Sequence, residues 1–212
     1  MKNPLLLLLI PCLSACAMTR TDLDFKYQPE PLPLSSAQSL RGTELRALVV
    51  TDNRTDIFTR QPLTDPRVLL NKRAGHRRQT EGVFALTKPL TEYVRQAFEE
   101  GLAQAAVRQS ASSQFEFRVQ LDSVDDPMWE RGILSSDYYL DIAATVSLLD
   151  RGSGKEVWRE RIRGRAKIDL AGTFDMGPYF IKTLPSSIAD LVSQSLSSAS
   201  LAKVLRSANA PG

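Results

Sequence analysis

Residues 138–168, YYLDIAATVSLLDRGSGKEVWRERIRGRAKI, decide the fold. Tyr138, Leu140, Ile142, Ala144, Val146 and Leu148 recur at every second position, and Trp158, Ile162, Ala166 and Ile168 keep the same period after a turn. A period of two puts each set on one face of a strand. Asp150-Arg151-Gly152-Ser153-Gly154 between them supplies the turn of an antiparallel hairpin. A one-residue slip would set the arginines of the second strand among the apolar residues of the first, so only alternate registers are compatible. The register with a five-residue loop places Leu149 opposite Lys155, Val146 opposite Trp158 and Ile142 opposite Ile162. On the other face it pairs Asp141 with Arg163, Asp137 with Lys167 and Tyr139 with Arg165. Each such pair contributes roughly 0.2–1 kcal/mol, so the pairs select register more than they stabilise. Glu160 then falls on the apolar face opposite Ala144, without a partner.

Upstream, Phe117, Val119 and Leu121 alternate with Glu116, Arg118, Gln120 and Asp122, which predicts another half-buried strand from Phe115. Leu45 to Val50 is a short apolar run bounded by Asp52 and Asn53, suited to a strand covered on both faces or lying centrally in a sheet. A long connection follows to Leu86, with turn signals at Pro62, Asp65-Pro66 and Gly75. Connections beyond about 15 residues without structure are uncommon, which predicts short strands at Val68–Leu70 and Val83–Leu86, or else partial disorder. Thr87 suits an N-cap and Pro89 a first helical turn. Leu90, Val94, Ala97, Phe98, Gly101, Leu102, Ala105 and Ala106 follow at helical spacing. A second helix is expected from Ser186 or Ser187, its buried stripe marked by Ile188, Leu191, Val192, Ser195, Leu196 and Ala199; Leu201, Val204 and Leu205 continue it or dock separately. The expected architecture is a single α+β domain over residues 41–206, a mainly antiparallel four- to five-stranded sheet with two helices packed on one face, with residues 207–212 as a disordered tail. A chain of this size buries about 70% of its unfolded surface without metal or disulfide.

The N-terminus reads as an address. Lys2 is followed by an apolar core, Leu5 to Ile10, and by small Ser14 and Ala15 before Cys16, the order of an export signal over residues 1–15. The run is well short of the ~20 residues that cross a bilayer. Leu13-Ser14-Ala15-Cys16 resembles the lipobox of bacterial lipoproteins. That resemblance implies cleavage before Cys16, a thioether-linked diacylglyceryl group on it, and an N-acyl chain such as palmitate. Ala17, in place of Asp, implies sorting to the outer membrane if the cell is Gram-negative. Cys12 leaves with the signal and Cys16 is consumed by lipid, so the folded part retains no thiol for a disulfide or a metal site. Residues 16–40, with Pro29, Pro31 and Pro33 followed by Ser35, Ser36 and Ser39, read as a tether holding the domain tens of Å from its lipid, at ~3 Å per extended residue.

A net charge of +3 makes no demand for nucleic acid. Arg159, Arg161, Arg163, Arg165 and Lys167 line one face of the last strand, about 6.6 Å apart. Two acids across the hairpin relieve two of them, leaving Arg159 and Arg161 without an identified partner. The row reads either as a solvated sheet face or as a stripe for lipid phosphates, lipopolysaccharide or an acidic protein. The basic connection with Arg60, Arg67, Lys72, Arg73, Arg77 and Arg78 has the same two readings. The single histidine, His76, lies among these cations with no nucleophile pattern beside it. Asp122, Asp125 and Asp126 lack the spacing of a calcium loop. The chain is expected to be non-catalytic, to use no cofactor beyond the covalent lipid, and to meet either an envelope protein or anionic lipid, in an oligomeric state that composition leaves open.

The order strand, long insertion, helix, three strands, helix resembles the YajG-type family of bacterial envelope lipoproteins. The resemblance rests on the lipobox, on Val49-Val50-Thr51-Asp52-Asn53-Arg54 with its Asp-x-Arg element closing the first strand, on Val83 to Val94, and on the serine-rich terminal helix. It implies helices against one face of a mainly antiparallel sheet, and brings no established activity. The leading reading is a periplasm-facing binding or adaptor module anchored through Cys16. The alternative is an accessory lipoprotein of a lipid or lipopolysaccharide transport system, similar to PqiC-type or LptE-type proteins; a hydrolase ranks third.

Overall fold

The three alternating segments become the longest strands of the protein. The computed structural model describes residues 19–27, 31, 40–56, 59–72, 82–126, 128–130, 136–168 and 177–208. Its strands are β1 Thr19–Leu23, β2 Glu44–Leu45, β3 Ala47–Asp52, β4 Val68–Lys72, β5 Gly82–Leu86, β6 Arg108–Gln109, β7 Phe115–Asp125, β8 Met128–Glu130, β9 Ser136–Asp150 and β10 Lys155–Ile168. The helices are α1 Leu90–Gln104, α2 Gly177–Leu196 and α3 Ala199–Ala208. The main sheet runs β10-β9-β7-β3, with β8 also paired to β9. All its pairings are antiparallel except β3 with β7, so the α+β fold carries a mixed sheet.

β3 lies at the edge of this sheet, not at its centre. Its apolar composition has a different cause: Leu48 and Val50 share the helix-covered face with Phe117 and Val119, while Val49 stands on the opposite, open face beside Arg118. The short strands expected in the long connection form, and β5 is flanked by β4 and, in parallel, by β1. This places Leu23 and Phe25 in the core, so Thr19 to Tyr27 belong to the domain and not to a tether. Tyr93 locks them in place: its hydroxyl donates to the Phe25 carbonyl at 3.1 Å and pairs with the Thr87 hydroxyl at 2.9 Å. Thr87 is therefore not the helix cap; Pro89 occupies that position without a side-chain bond.

Among the described residues three helices stand where two are expected. α2 begins at Gly177, some nine residues before the expected start, and carries Pro185 in its interior. An interior proline costs about 3 kcal/mol, offset here by burial of Phe180 and Leu184, both 0% exposed. Phe180 meets Phe84 edge-on at 5.0 Å, joining α2 to the three-stranded sheet. α3 docks separately through Leu201, Ala202 and Leu205 and extends to Ala208, two residues into the expected tail. On the inner face of the main sheet, Phe117 packs between Phe98 and Trp158.

The hairpin differs from the expected register by one residue next to the turn and by two from Trp158 onward. Asp150 pairs with Lys155, leaving a four-residue turn, and Trp158 faces Leu148, Ile162 faces Ala144 and Arg165 faces Asp141. A four-residue turn alone would invert the faces of β10. A bulge between Glu156 and Trp158 restores them, and its extra residue, Val157, is an exposed large apolar side chain, at 40%. Glu160, opposite Val146, is solvent-exposed and accepts a 2.8 Å hydrogen bond from Ser198 in the break between α2 and α3. Gly164 lets α2 lie directly on β10: a Cβ there would collide with the Ser187 carbonyl and come within 2.6 Å of Leu191. The outer edge of β10 is held by the same helix, with Asp190 accepting from the Arg165 amide at 2.8 Å and Gln194 donating to the Arg163 carbonyl at 3.1 Å. Capping of this kind keeps an edge strand from pairing with another chain.

Candidate binding face

The helices cover one face of the main sheet, and the basic row of β10 lies on the other. Arg159, Arg161 and Arg163 expose 61%, 68% and 55% of their side chains and Arg165 35%. The row is not a line of unneutralised cations. Asp141, 2% exposed, receives the Arg165 guanidinium in two 2.7 Å bonds and Arg163 at 3.4 Å. Expected pairings on this face move accordingly: Arg165, not Arg163, is the direct partner of Asp141, and Lys167 stands opposite Tyr139. The Tyr139 ring still meets Arg165, 5.2 Å from its guanidinium carbon. Hydrogen bonding to Asp141 raises the Arg165 pKa above its ordinary value.

Arg159 and Arg161, without identified partners in the sequence, have acidic neighbours that register alone does not reveal. Arg159 approaches Glu156 at 3.7 Å, three residues back across the bulge, and Arg161 approaches Asp122 at 3.7 Å, two strands away. Asp122 is available because β7 carries a bulge between Leu121 and Ser123. Its carboxylate also accepts from Thr145 at 2.8 Å and Gln120 at 3.2 Å, which gives it a network role. Arg118 is held by Glu116 at 2.7 Å, and Arg151 of the turn approaches the same carboxylate at 3.4 Å.

Two ladders of residues cross this face: Val49, Arg118, Ser147 and Arg159 on one level, and Thr51, Gln120, Thr145 and Arg161 on the next. Small Ser147 and Thr145 sit in the middle while long Arg118, Gln120, Glu156 and Arg159 rise around them. The result is a polar hollow of about 410 Å³. Arginine side chains on two sides and hydroxyls at the floor suit an acidic group. The carboxylates around it, Glu116, Asp122 and Glu156, each lie within 4 Å of an arginine.

The Asp-x-Arg element at the end of β3 is a clamp. Arg54, 3% exposed, grips Asp52 through bonds of 2.8 and 2.7 Å and donates to the carbonyl of Val68 at 2.7 Å, tying β3 to β4. Asp65-Pro66-Arg67 repeats the geometry, with Arg67 donating to Asp65 at 3.1 and 3.0 Å and Arg20 of β1 completing the pair at 3.0 Å. Arg67 above all, then its own amide and Arg20, holds the Asp65 carboxyl well below the usual carboxylate range. Cys16, His76 and Arg73 to Arg78 lie outside the described residues, as does the side chain of Asp137. No helix among the described residues is long and apolar enough to cross a membrane.

No family model matches the sequence, and no curated protein matches it either. Among solved structures the chain is similar to a Xanthomonas campestris protein of the DUF330 family, with TM-score 0.56 and 11% identity over 90% of this chain and 100% of that one. A minor lipoprotein from Acinetobacter baumannii matches with TM-score 0.43 and 9% identity, over 74% and 94% of the two chains. The rare lipoprotein B from Shewanella oneidensis matches with TM-score 0.32 and 11% identity, over 73% and 96%. At this identity the first match establishes the fold: the chain shares its α+β architecture with the DUF330 protein of Xanthomonas campestris.

Proposed function

We propose that the protein is a non-catalytic bacterial envelope lipoprotein, anchored in the outer membrane through lipid on Cys16, whose periplasm-facing domain binds an acidic segment of another envelope protein. The observation that carries the binding role is the open face of the main sheet: a row of arginines beside a polar hollow of about 410 Å³, with no helix of the described residues laid across it. Four carboxylates, Glu116, Asp122, Asp141 and Glu156, meet six arginines there, so the face keeps net positive charge among the described residues. Complementary charge steers encounter and selects partners more than it adds affinity. The polar lining favours a protein or headgroup contact over an acyl chain, which ranks the adaptor reading above lipid transport.

A photo-crosslinker at position 159 in intact cells tests this. Recovery of one defined envelope protein, lost when Arg161 is replaced by Glu, supports the reading; crosslinks to lipid alone sink it. The anchor is tested separately by the mass of the mature protein, which should show two or three acyl chains at Cys16.

A further inference from the structure

The two edges of the main sheet are not alike. β10 is held along its outer side by Asp190 and Gln194 of α2, whereas β3 has a strand partner, β7, on one side alone among the described residues. The Asn53 amide donates to the Leu121 carbonyl at 2.9 Å, so the alternate residues Thr51 and Val49 turn their backbone groups to β7. Leu48 and Val50 therefore turn theirs outward. No described residue bonds to them there. Edge strands are ordinarily blunted by Lys, Pro, a bulge or a cover, yet Ala47-Leu48-Val49-Val50-Thr51 carries no charge, no proline and no register shift. Parallel strands of such composition usually lie inside a sheet. β3 is parallel to β7 and has the composition of a central strand at an edge position.

We propose that β3 accepts an extended segment of the partner as a further strand, whose acidic side chains enter the arginine-lined hollow; this rests on the acidic envelope partner proposed above and specifies how it is held. On the β3 side the hollow is walled by Val49 and Thr51, which stand level with Arg118 and Arg159 and with Gln120 and Arg161. A strand added about 4.8 Å beyond β3 sets every second side chain beside Val49 and Thr51 on that face. Arg118, 45% exposed, lies one strand further in, and Arg159 lines the far wall. That charge selects carboxylates. The intervening side chains fall beside half-buried Leu48 and buried Val50, on the face closed by the helices, which selects apolar residues. The segment is therefore about as long as the six residues of β3 and alternates acidic with apolar side chains. Backbone bonds give strand addition its affinity, and the alternate side chains give its specificity.

The probe is a fluorescent peptide of about seven residues alternating Glu and Val, matched in length to β3 and titrated by anisotropy against the full-length protein in detergent. Two derivatives carry N-methyl groups, one on every Glu nitrogen and the other on every Val nitrogen, and one of these sets alone can point at β3. One derivative should bind at least about tenfold more weakly than the parent and the other within about threefold. Loss on Val methylation reports an antiparallel strand, and loss on Glu methylation a parallel one. Replacing every Glu by Gln should weaken binding at least about tenfold at low salt. Leu48→Pro removes an outward amide but spares the bonds of Val49 and Thr51 to β7, so it should weaken the parent peptide at least about fivefold with the unfolding transition retained. Should that variant fail to fold, the methylated pair decides. Equal binding of the two methylated peptides, or no saturable binding of the parent up to about 1 mM, overturns strand addition. Equal binding of the Gln peptide overturns the link to the hollow. A self-associated protein that Leu48→Pro returns to monomer overturns the proposal as well, by placing a second copy on the edge. The acidic-partner reading fails separately, when no protein is crosslinked at position 159; a partner whose capture there ignores Leu48→Pro keeps that reading and removes the strand.

Discussion

Arg165 and Arg159 stand on the same face of the same strand, six residues apart, in a row that looks uniform in the sequence. Their surroundings differ. Arg165 delivers both arms of its guanidinium to a carboxylate 2% exposed, packs on Tyr139, and has its amide fixed by Asp190. Arg159 is 61% exposed and approaches a carboxylate that is itself 42% exposed, at 3.7 Å. Buried pairs are costly to break, whereas exposed pairs contribute about 0–1 kcal/mol. One half of the row is therefore built into the fold, and the half nearer the turn is free to serve a partner.

The largest effect is expected from Gly164, where the structural half meets α2. Gly164→Val drives a side chain into the Ser187 carbonyl and Leu191, which must displace α2 and with it the Asp190 hold on Arg165. Overpacking of this kind costs about 3 kcal/mol or more, read as a loss of the cooperative unfolding transition or a large drop in its midpoint. Unchanged stability would show that α2 does not bear on β10 as described. Next is Asp141→Asn, which keeps the volume but removes the charge shared by Arg163 and Arg165. Loss of about 2–3 kcal/mol in denaturant unfolding is expected; a change below about 0.5 kcal/mol would erase the distinction between the two halves.

Asp65 sharpens the comparison because it also joins two guanidiniums, Arg67 and Arg20, but at 25% exposure. Its pKa is depressed in the folded state, so the unfolded chain binds more protons at moderately acidic pH. The pair therefore stabilises fully above the unfolded carboxylate value near 4, and that contribution fades as pH falls below it toward the depressed folded value. Unfolding midpoints of the native protein and of Asp65→Asn should accordingly converge between about pH 4 and pH 2. A gap between them that stays constant over that range would mean that the carboxylate charge is not what Arg67 and Arg20 hold.

Much of this was legible in the residues. Period-two alternation located β7, β9 and β10 and sorted their faces correctly, because side-chain direction in a strand is local. Register was not local. The four-residue turn and the bulge at Val157 together shift every pairing beyond the bulge by two while preserving the faces, so Arg165 takes the partner expected for Arg163. The apolar spacing from Ile188 starts α2 only at Ser186 or Ser187, and the burial of Phe180 and Leu184 shows the helix extending back past Pro185 to Gly177. β1 was missed for a related reason. Thr19 to Leu23 shows no apolar alternation, and its strand exists through pairing with β5, a partner some sixty residues away. The Asp-x-Arg element is one of the features behind the family resemblance, and its chemistry is a buried clamp on the β4 backbone that spacing alone does not reveal.

The smallest expected effect on stability bears most on function. Replacing Arg159 and Arg161 together by Ser removes two side chains at least 60% exposed and two contacts of 3.7 Å, so the unfolding free energy should move by no more than about 0.5 kcal/mol. If the turn-proximal half is the partner's contact, the same variant should lose the crosslinked envelope protein and the salt dependence of its capture. Asp141→Asn should behave in the opposite way, weakening the fold while capture survives below its lowered midpoint. Each variant is the control for the other. A double Ser variant that unfolds like Asp141→Asn, or that keeps its partner at full strength, would mean that the exposed arginines differ from the buried ones in degree of solvation alone and that the binding surface lies elsewhere on the domain.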